Sequence, residues 1–532
     1  MQKIIILSFF SFLFIQCTSV KEHNAHLNDL IAENDLKADV DYTYKKLQRL
    51  QPKLYWYISK KELDYKFDSL KSTITKPITS FEFYKKLSPV VASVRQGHLT
   101  TSPSKKMLSK AEIKALKDKG TSPFSQFDFE IINDKMYVIK NKSDNKTIQI
   151  GAEVVAVNGK KVSELTAGYY ALFTSDGYNK TFKRKRMSYM FPAFYNNENG
   201  IQDSINYTFK QNDSLHVICI KRKKIELLKS NKTKTKVAVI ILDAKQKKKV
   251  KKDKSTYGYD ENTKTNNREF KFIEKDSSVA LLTIKHFDLG KPSRFYEESF
   301  GKMQLNQTKT LIIDLRNNPG GSLNEISHLY SYLSDSTYVF LDPYEVTSKT
   351  TLVEKTPFSE FSLLAKIVIM PFYAPVVFFK VHKKENGYYS SNQQSKPRTI
   401  NSNAFKGKVY VMINGGSFSA SSIISSNLKG SKRATFVGEE TGGAYNGTVA
   451  GIMPTIKLPN SKIKIKIGLL VVAPFYKTTL EGHGIFPDKE IIPTIADYAS
   501  GKDPELNWIL EDIKKNATIL DENKKDKNIT LK

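Results

Sequence analysis

Leu311-Ile312-Ile313-Asp314-Leu315-Arg316-Asn317-Asn318-Pro319-Gly320-Gly321 is a strand-length apolar run that ends in a Gly-Gly turn, and a helix-like stretch follows from Leu323 to Tyr332. A strand that feeds a helix through a tight turn is the unit of a parallel α/β sheet. Two glycines also leave bare N–H groups at a helix N-terminus, a natural site for an oxyanion. Further along, the pattern recurs with hydroxyls in it: Val409 to Ile413 leads through Gly415-Gly416 into Ser417-Phe418-Ser419-Ala420-Ser421-Ser422. A sharp turn between strand and helix lifts a serine onto an exposed elbow, where a base and N–H donors reach it. The two elbows together look like a nucleophile and an oxyanion hole.

Working outward, Val279 to Ile284 and Thr435 to Gly438 supply further strands with helical stretches between them. Residues 276–500 therefore form an α/β core with a mainly parallel sheet, closed by a hairpin from Ile456 to Ile467 that turns at Pro459-Asn460-Ser461. At 532 residues the chain exceeds one hydrophobic core. Residues 17–100 read as a helical domain, since Leu36, Val40, Tyr44, Leu47 and Leu50 recur at helical steps and Ser59 precedes Lys60-Lys61-Glu62 like a cap. A third helix starts at Ser80. Residues 121–223 change to short strands, with a hairpin signal where Gly151 to Val157 meets Asn158-Gly159. A Lys-rich insertion or linker occupies 224–275, and 501–532 is a charged tail.

The formal charge of +30 invites a nucleic-acid partner, yet much of it is local. Lys221 to Lys254 holds 15 Lys or Arg against Glu226, Asp243 and Asp253, a net +12. The run has no interleaved aromatics for base stacking, so it reads as a solvated, partly disordered insertion, or as a patch attracted to an anionic membrane surface. Residues 1–16 read as a signal peptide, with Lys3 ahead of the apolar Ile4 to Ile15. Cys17 follows directly, where a lipoprotein carries its acylated cysteine; this places the protein in the periplasm or cell envelope and argues against nucleic acid. Cys219 reads as a buried strand residue. The apolar stretch Leu363 to Val381 is interrupted by Lys366, Pro371 and Pro375 and reads as a buried or interface segment rather than a span. Neither a cofactor nor a metal is expected, because the histidines and acids lack ligand spacing and no phosphate loop occurs.

A serine needs a base. Of the eight histidines, His286 follows a strand and is not excluded by position, but His98 in Gly97-His98-Leu99-Thr100 and His483 in Glu481-Gly482-His483-Gly484 are the better candidates, each beside glycine in a loop-like segment, and spacing does not choose between them.

The set Asp314 to Gly321, Ser419-Ala420-Ser421, Gly438-Glu439-Glu440-Thr441-Gly442-Gly443 and Gly484-Ile485-Phe486-Pro487-Asp488 resembles the tail-specific (C-terminal processing) serine peptidase superfamily. The resemblance implies a ClpP/crotonase-like core, a PDZ-like domain over 121–223 and Ser419 as nucleophile. Members with a Ser-Lys dyad place the lysine where this chain has Ala444. The Thr-Gly-Gly form is instead similar to the tricorn-like branch, which implies His98 as base and Glu481 as the carboxylate that orients it. That branch has a serine before its histidine, and this chain has Gly97. The implied oxyanion donors are the N–H groups of Gly320 or Gly321 and of Ala420. The expectation is an exported serine endopeptidase acting on peptides or unfolded proteins, with a degenerate scaffolding protein or a small-molecule hydrolase as the alternatives.

Overall fold

The computed structural model describes residues 20–224, 244–261, 263–354 and 395–529, with parts of 368–390. The expected signal peptide and Cys17 lie outside the described residues, as does much of Leu363 to Val381. Among the described residues no helix is long and apolar enough to cross a membrane.

After a short helix at Val20–Ala25 come three longer ones: α1 (Glu33–Leu50), α2 (Lys60–Ser72) and α3 (Ser80–Ala92). The stripe Leu36, Val40, Leu47 and Leu50 faces inward on α1. Ser59 Oγ accepts the Glu62 N–H at the start of α2, and Thr79 forms a reciprocal capping box with Glu82 at the start of α3. A short strand β1 (Thr100–Ser102) follows.

The next unit is an antiparallel sheet in the order β2 (Phe127–Ile132), β3 (Lys135–Asn141), β4 (Glu153–Val157), β5 (Ser204–Gln211) and β6 (Ser214–Lys221), with helices α4 (Val162–Tyr170) and α5 (Thr181–Asn199) inserted before β5. The sequence reading as short strands and turns missed α5. The basic run Lys183 to Arg186 and Pro192 within the helix disguise its buried face of Phe182, Met187, Phe191, Phe194 and Tyr195. Cys219 is exposed, contrary to the expectation of burial, because on strand β6 it alternates onto the outer face with the exposed Leu215 and Val217 while Ile220 faces inward.

The Lys-rich region holds more structure than a solvated linker. Its second half forms α6 (Ala244–Tyr257), whose Tyr257 packs edge-on to Phe295 at 5.5 Å. The core sheet then begins at β7 (Arg268–Phe272), ahead of the expected boundary at 276. It is antiparallel to β8 (Val279–Ile284). After α7 (Pro292–Leu305) the sheet continues in parallel with β9 (Thr310–Asp314), which leads into α8 (Leu323–Ser331). Next come β10 (Lys408–Ile413), α9 (Ala420–Gly430) and β11 (Thr435–Gly438), with Leu311 opposite Val409 and Val411 opposite Phe436. A loop then reaches β12 (Thr448–Ala450) and the hairpin β13 (Thr455–Lys457) and β14 (Lys464–Lys466), before β15 (Lys489–Glu490) completes the parallel sheet and α10 (Pro504–Ile529) covers one of its faces. The fold is α/β with several domains.

The hairpin does more than close the core. Its outer strand β14 pairs with β1, placing Lys466 opposite Thr100 and Ile465 opposite Thr101. Its turn is gripped by Asp39 of α1, a fully buried carboxylate whose Oδ2 accepts the Ser461 N–H at 2.7 Å and the Ser461 hydroxyl at 2.6 Å. Oδ1 accepts the Asn460 N–H at 3.1 Å, and Ser80 donates to the Ser461 carbonyl at 2.6 Å. A backbone ladder and a buried carboxylate therefore fix the segment just after residue 98 against the core.

Candidate active site

Ser419 stands between β10 and α9 with φ 56° and ψ −119°. A non-glycine residue there carries strain of about 1–3 kcal/mol, held in place by surrounding contacts. Those contacts come from the first elbow. The Asn318 carbonyl accepts the Phe418 N–H at 3.0 Å and the Ser421 hydroxyl at 2.9 Å. Asn414 Oδ1 accepts the N–H groups of Asn317 and Gly416, both at 2.9 Å. The other serines are committed elsewhere: Ser417 Oγ donates to the Leu315 carbonyl, Ser421 Oγ to that of Asn318 and Ser422 Oγ to that of Ser417, and all three are buried. Ser419 is left partly exposed with its hydroxyl free to react.

Its partner is an imidazole from the front of the chain. His98 Nε2 lies 3.1 Å from Ser419 Oγ. The ring is stacked on Phe418 with centroids 4.7 Å apart, and Phe418 in turn on Phe182 at 4.3 Å. Gly97 is required by this stack: a Cβ there would meet Phe418 Cζ at 2.8 Å, so the serine of the tricorn-like pattern has no room. Burial, then the positive charges of Lys466 and Arg186, lower the His98 pKa to about 3, so the ring is neutral at neutral pH. The other candidate, His483, faces Glu440 at 3.5 Å instead.

The Gly-Gly turn supplies donors. Gly320 has φ 101°, and a Cβ on it would sit 2.7 Å from Ser419 Cβ and 2.8 Å from the Ala420 nitrogen, so the turn is pressed against the serine. Of the expected donors, Gly320 is already spent, its N–H donating to Asn318 Oδ1 at 2.9 Å. The N–H groups of Gly321 and Ala420 have no acceptor among the described residues. The Thr441-Gly442-Gly443 motif backs the elbow: Gly442 donates to the Ser417 carbonyl at 2.9 Å, and a Cβ on Gly443 would meet Ser422 Oγ at 2.5 Å.

Glu481 does not orient the imidazole. It lies exposed on its loop and accepts from Asn446 Nδ2 at 2.9 Å, with no contact to His98 among the described residues. Thr448 stands there instead, its Oγ1 3.2 Å from His98 Nδ1 and donating to Asp176 Oδ1 at 3.1 Å. Asp176 is 1% exposed and also accepts the Gly97 N–H at 2.8 Å.

A serine on a strained elbow, a neutral imidazole on its hydroxyl and a Gly-Gly turn pressed against it are the apparatus of acyl transfer. Residues 278–491 match the description Peptidase family S41. Residues 278–491 thus form a peptidase domain of family S41, the family of the tail-specific serine peptidases. Solved structures agree in fold. Mature CPAF complexed with lactacystin is 15% identical at a TM-score of 0.58, covering 92% of this chain and 99% of that one. A second structure of mature CPAF is 14% identical at 0.55, covering 88% and 94%. No curated protein sequence matches significantly.

The matched S41 region contains Ser419, both Gly-Gly turns and Thr448, but neither His98 nor Asp176. Those two come from the preceding domains. Asp176 escaped the sequence reading because Thr174-Ser175-Asp176-Gly177 has the composition of a surface turn, and Thr448 because it follows Asn446-Gly447 like a hairpin residue.

Proposed function

We propose that the chain is an exported serine endopeptidase that cleaves peptides or unfolded proteins with Ser419 as nucleophile and His98 as general base. The observation that carries this reading is the 3.1 Å approach of His98 Nε2 to Ser419 Oγ. Oγ bonds to the scissile carbonyl carbon as its proton passes to Nε2, and the oxyanion is held by the N–H groups of Gly321 and Ala420. Collapse of the tetrahedral intermediate breaks the C–N bond, and His98 gives the proton to the leaving amine. A water, deprotonated by the same nitrogen, then releases the acyl group and restores the serine.

Export and acylation of Cys17 place this chemistry at the cell envelope, and the basic stretch from Lys221 to Lys254 suits an anionic lipid surface beside such an anchor. The unit over 121–223 is read as PDZ-like, taking an extended substrate tail by strand addition. The test is hydrolysis of dye-labelled unfolded casein. Wild-type protein should release dye and Ser419→Ala should release none; unchanged turnover by the alanine variant would refute the assignment.

A further inference from the structure

We propose that Thr448 and Asp176 are the positioning residues of this peptidase, a hydroxyl-bridged carboxylate that sets the His98 tautomer in place of the carboxylate expected at Glu481. The inference rests on Ser419 and His98 acting as the reactive pair, and extends that reading to what holds the base.

The argument is one of hydrogen-bond direction. An ionised carboxylate only accepts. Asp176 Oδ1 accepts from the Gly97 N–H and from the Thr448 hydroxyl. Thr448 has one proton, and giving it to Asp176 leaves its oxygen to accept from His98 Nδ1 at 3.2 Å. The Nδ1 nitrogen then carries the hydrogen, and Nε2 presents a lone pair to the Ser419 hydroxyl at 3.1 Å. Each proton position follows from the one before, and the series starts at the carboxylate. When Nε2 takes the serine proton, the imidazolium keeps Nδ1–H on Thr448, and Asp176 stabilises the charge without accepting a proton.

The site is built for this at some cost. Asp176 and Thr448 are both buried, and among the described residues Asp176 Oδ2 makes no full hydrogen bond. Burial raises the Asp176 pKa to about 6, against the lowering effect of the Gly97, Thr448 and Ala444 donors. Among the described residues the buried Tyr57 hydroxyl has no hydrogen-bond partner and feels the charges of Asp176 and Glu481, while the charges of Lys466 and Arg186 act on His98. Thr448 opens β12, four residues after Ala444. Asp176 is held by the backbone of Gly97, the residue next to the base, which couples the placement of both.

The experiment measures the second-order rate of Ser419 labelling by a fluorophosphonate from pH 4.5 to 8.5, which requires no knowledge of the substrate. Wild-type labelling should fall as pH drops through about 6, as Asp176 takes a proton and ceases to order the series. Asp176→Asn should label at least tenfold more slowly at pH 8 and lose that limb, its thermal stability unimpaired. Thr448→Val should show a similar loss, and Thr448→Ser should restore at least half of the wild-type rate. Wild-type rates and pH profile in both Asp176→Asn and Thr448→Val, with Ser419→Ala and His98→Ala unlabelled, would overturn this inference and leave the peptidase reading standing. Equal losses in the valine and serine variants would also overturn it. Labelling that persists in Ser419→Ala would instead remove the reading beneath it.

Discussion

At the scale of single residues the site depends on what is absent from glycine. The Gly320 backbone lies against Ser419 Cβ and the Ala420 nitrogen at distances no Cβ tolerates. Gly320→Ala should displace the neighbouring donors and reduce casein hydrolysis by about 10²–10³-fold, the usual loss when one oxyanion donor is removed. Asp176 makes the opposite trade. Its folded-state pKa of about 6 exceeds the ordinary aspartate value, so the folded protein binds the proton more tightly between those values. The ionised form is thus a burden above pH 6, and the burden is relieved as pH falls toward the ordinary value. Asp176→Asn should raise thermal stability at pH 8, by an amount on the order of 2 kcal/mol, and by much less at pH 4. Calorimetry at the two pH values checks this, and a variant less stable at pH 8 than at pH 4, relative to wild type, would contradict it.

At the scale of elements, two buried carboxylates position the reactive parts. Glu325 on α8 pairs with fully buried Arg268 on β7, Nε to Oε1 at 2.8 Å and a terminal nitrogen to Oε2 at 2.7 Å, and accepts from Tyr296 at 2.9 Å. This fixes the helix that follows the Gly-Gly turn. Removing one partner strands the other charge, so Arg268→Ala should cost about 3–5 kcal/mol in a denaturant titration. Asp39 plays the corresponding part for the base, gripping the turn whose outer strand pairs with β1. Asp39→Ala leaves three donors unsatisfied, and we expect both a lower melting temperature and a fall in phosphonate labelling, since His98 loses its anchor. Intact labelling in a destabilised Asp39→Ala protein would show that the hairpin supports the fold but not the site. Much at this scale was legible beforehand. The four core strands fall where the apolar runs predict them, because a parallel sheet buried on both faces writes continuous Val, Ile and Leu stretches. The helix α5 was not legible, since its Pro192 and basic run erase the helical period that its packing against β2 obeys.

At the scale of the whole molecule the site is a convergence. Residue 98 comes from the helical front, 176 from the β-rich middle, and 321, 419 and 448 from two turns and a strand of the core. Pattern reading finds what is encoded locally, such as Ser419 and the Gly-Gly turns, where strand, turn and helix are contiguous. His98 came through a family resemblance, whereas the Thr448–Asp176 pair depends on a three-dimensional meeting that no short motif records. Glu481 shows the reverse case, a motif match whose carboxylate is taken up by Asn446. The same convergence governs stability. Arg316 ties the first elbow to Asp503 at 2.8 Å and Glu505 at 3.2 Å, and α10 covers a sheet face of Val279, Leu281, Ile312, Tyr410, Met412 and Val437. Truncation before Pro504 should expose that face and yield aggregated protein, visible by size-exclusion chromatography. The most direct test of the convergence itself is to map the fluorophosphonate adduct by mass spectrometry in wild type, Ser419→Ala and His98→Ala. One adduct on Ser419, absent from the first variant and formed at least a hundredfold more slowly in the second, is the predicted result. An adduct on another residue, or an undiminished rate without His98, would contradict it.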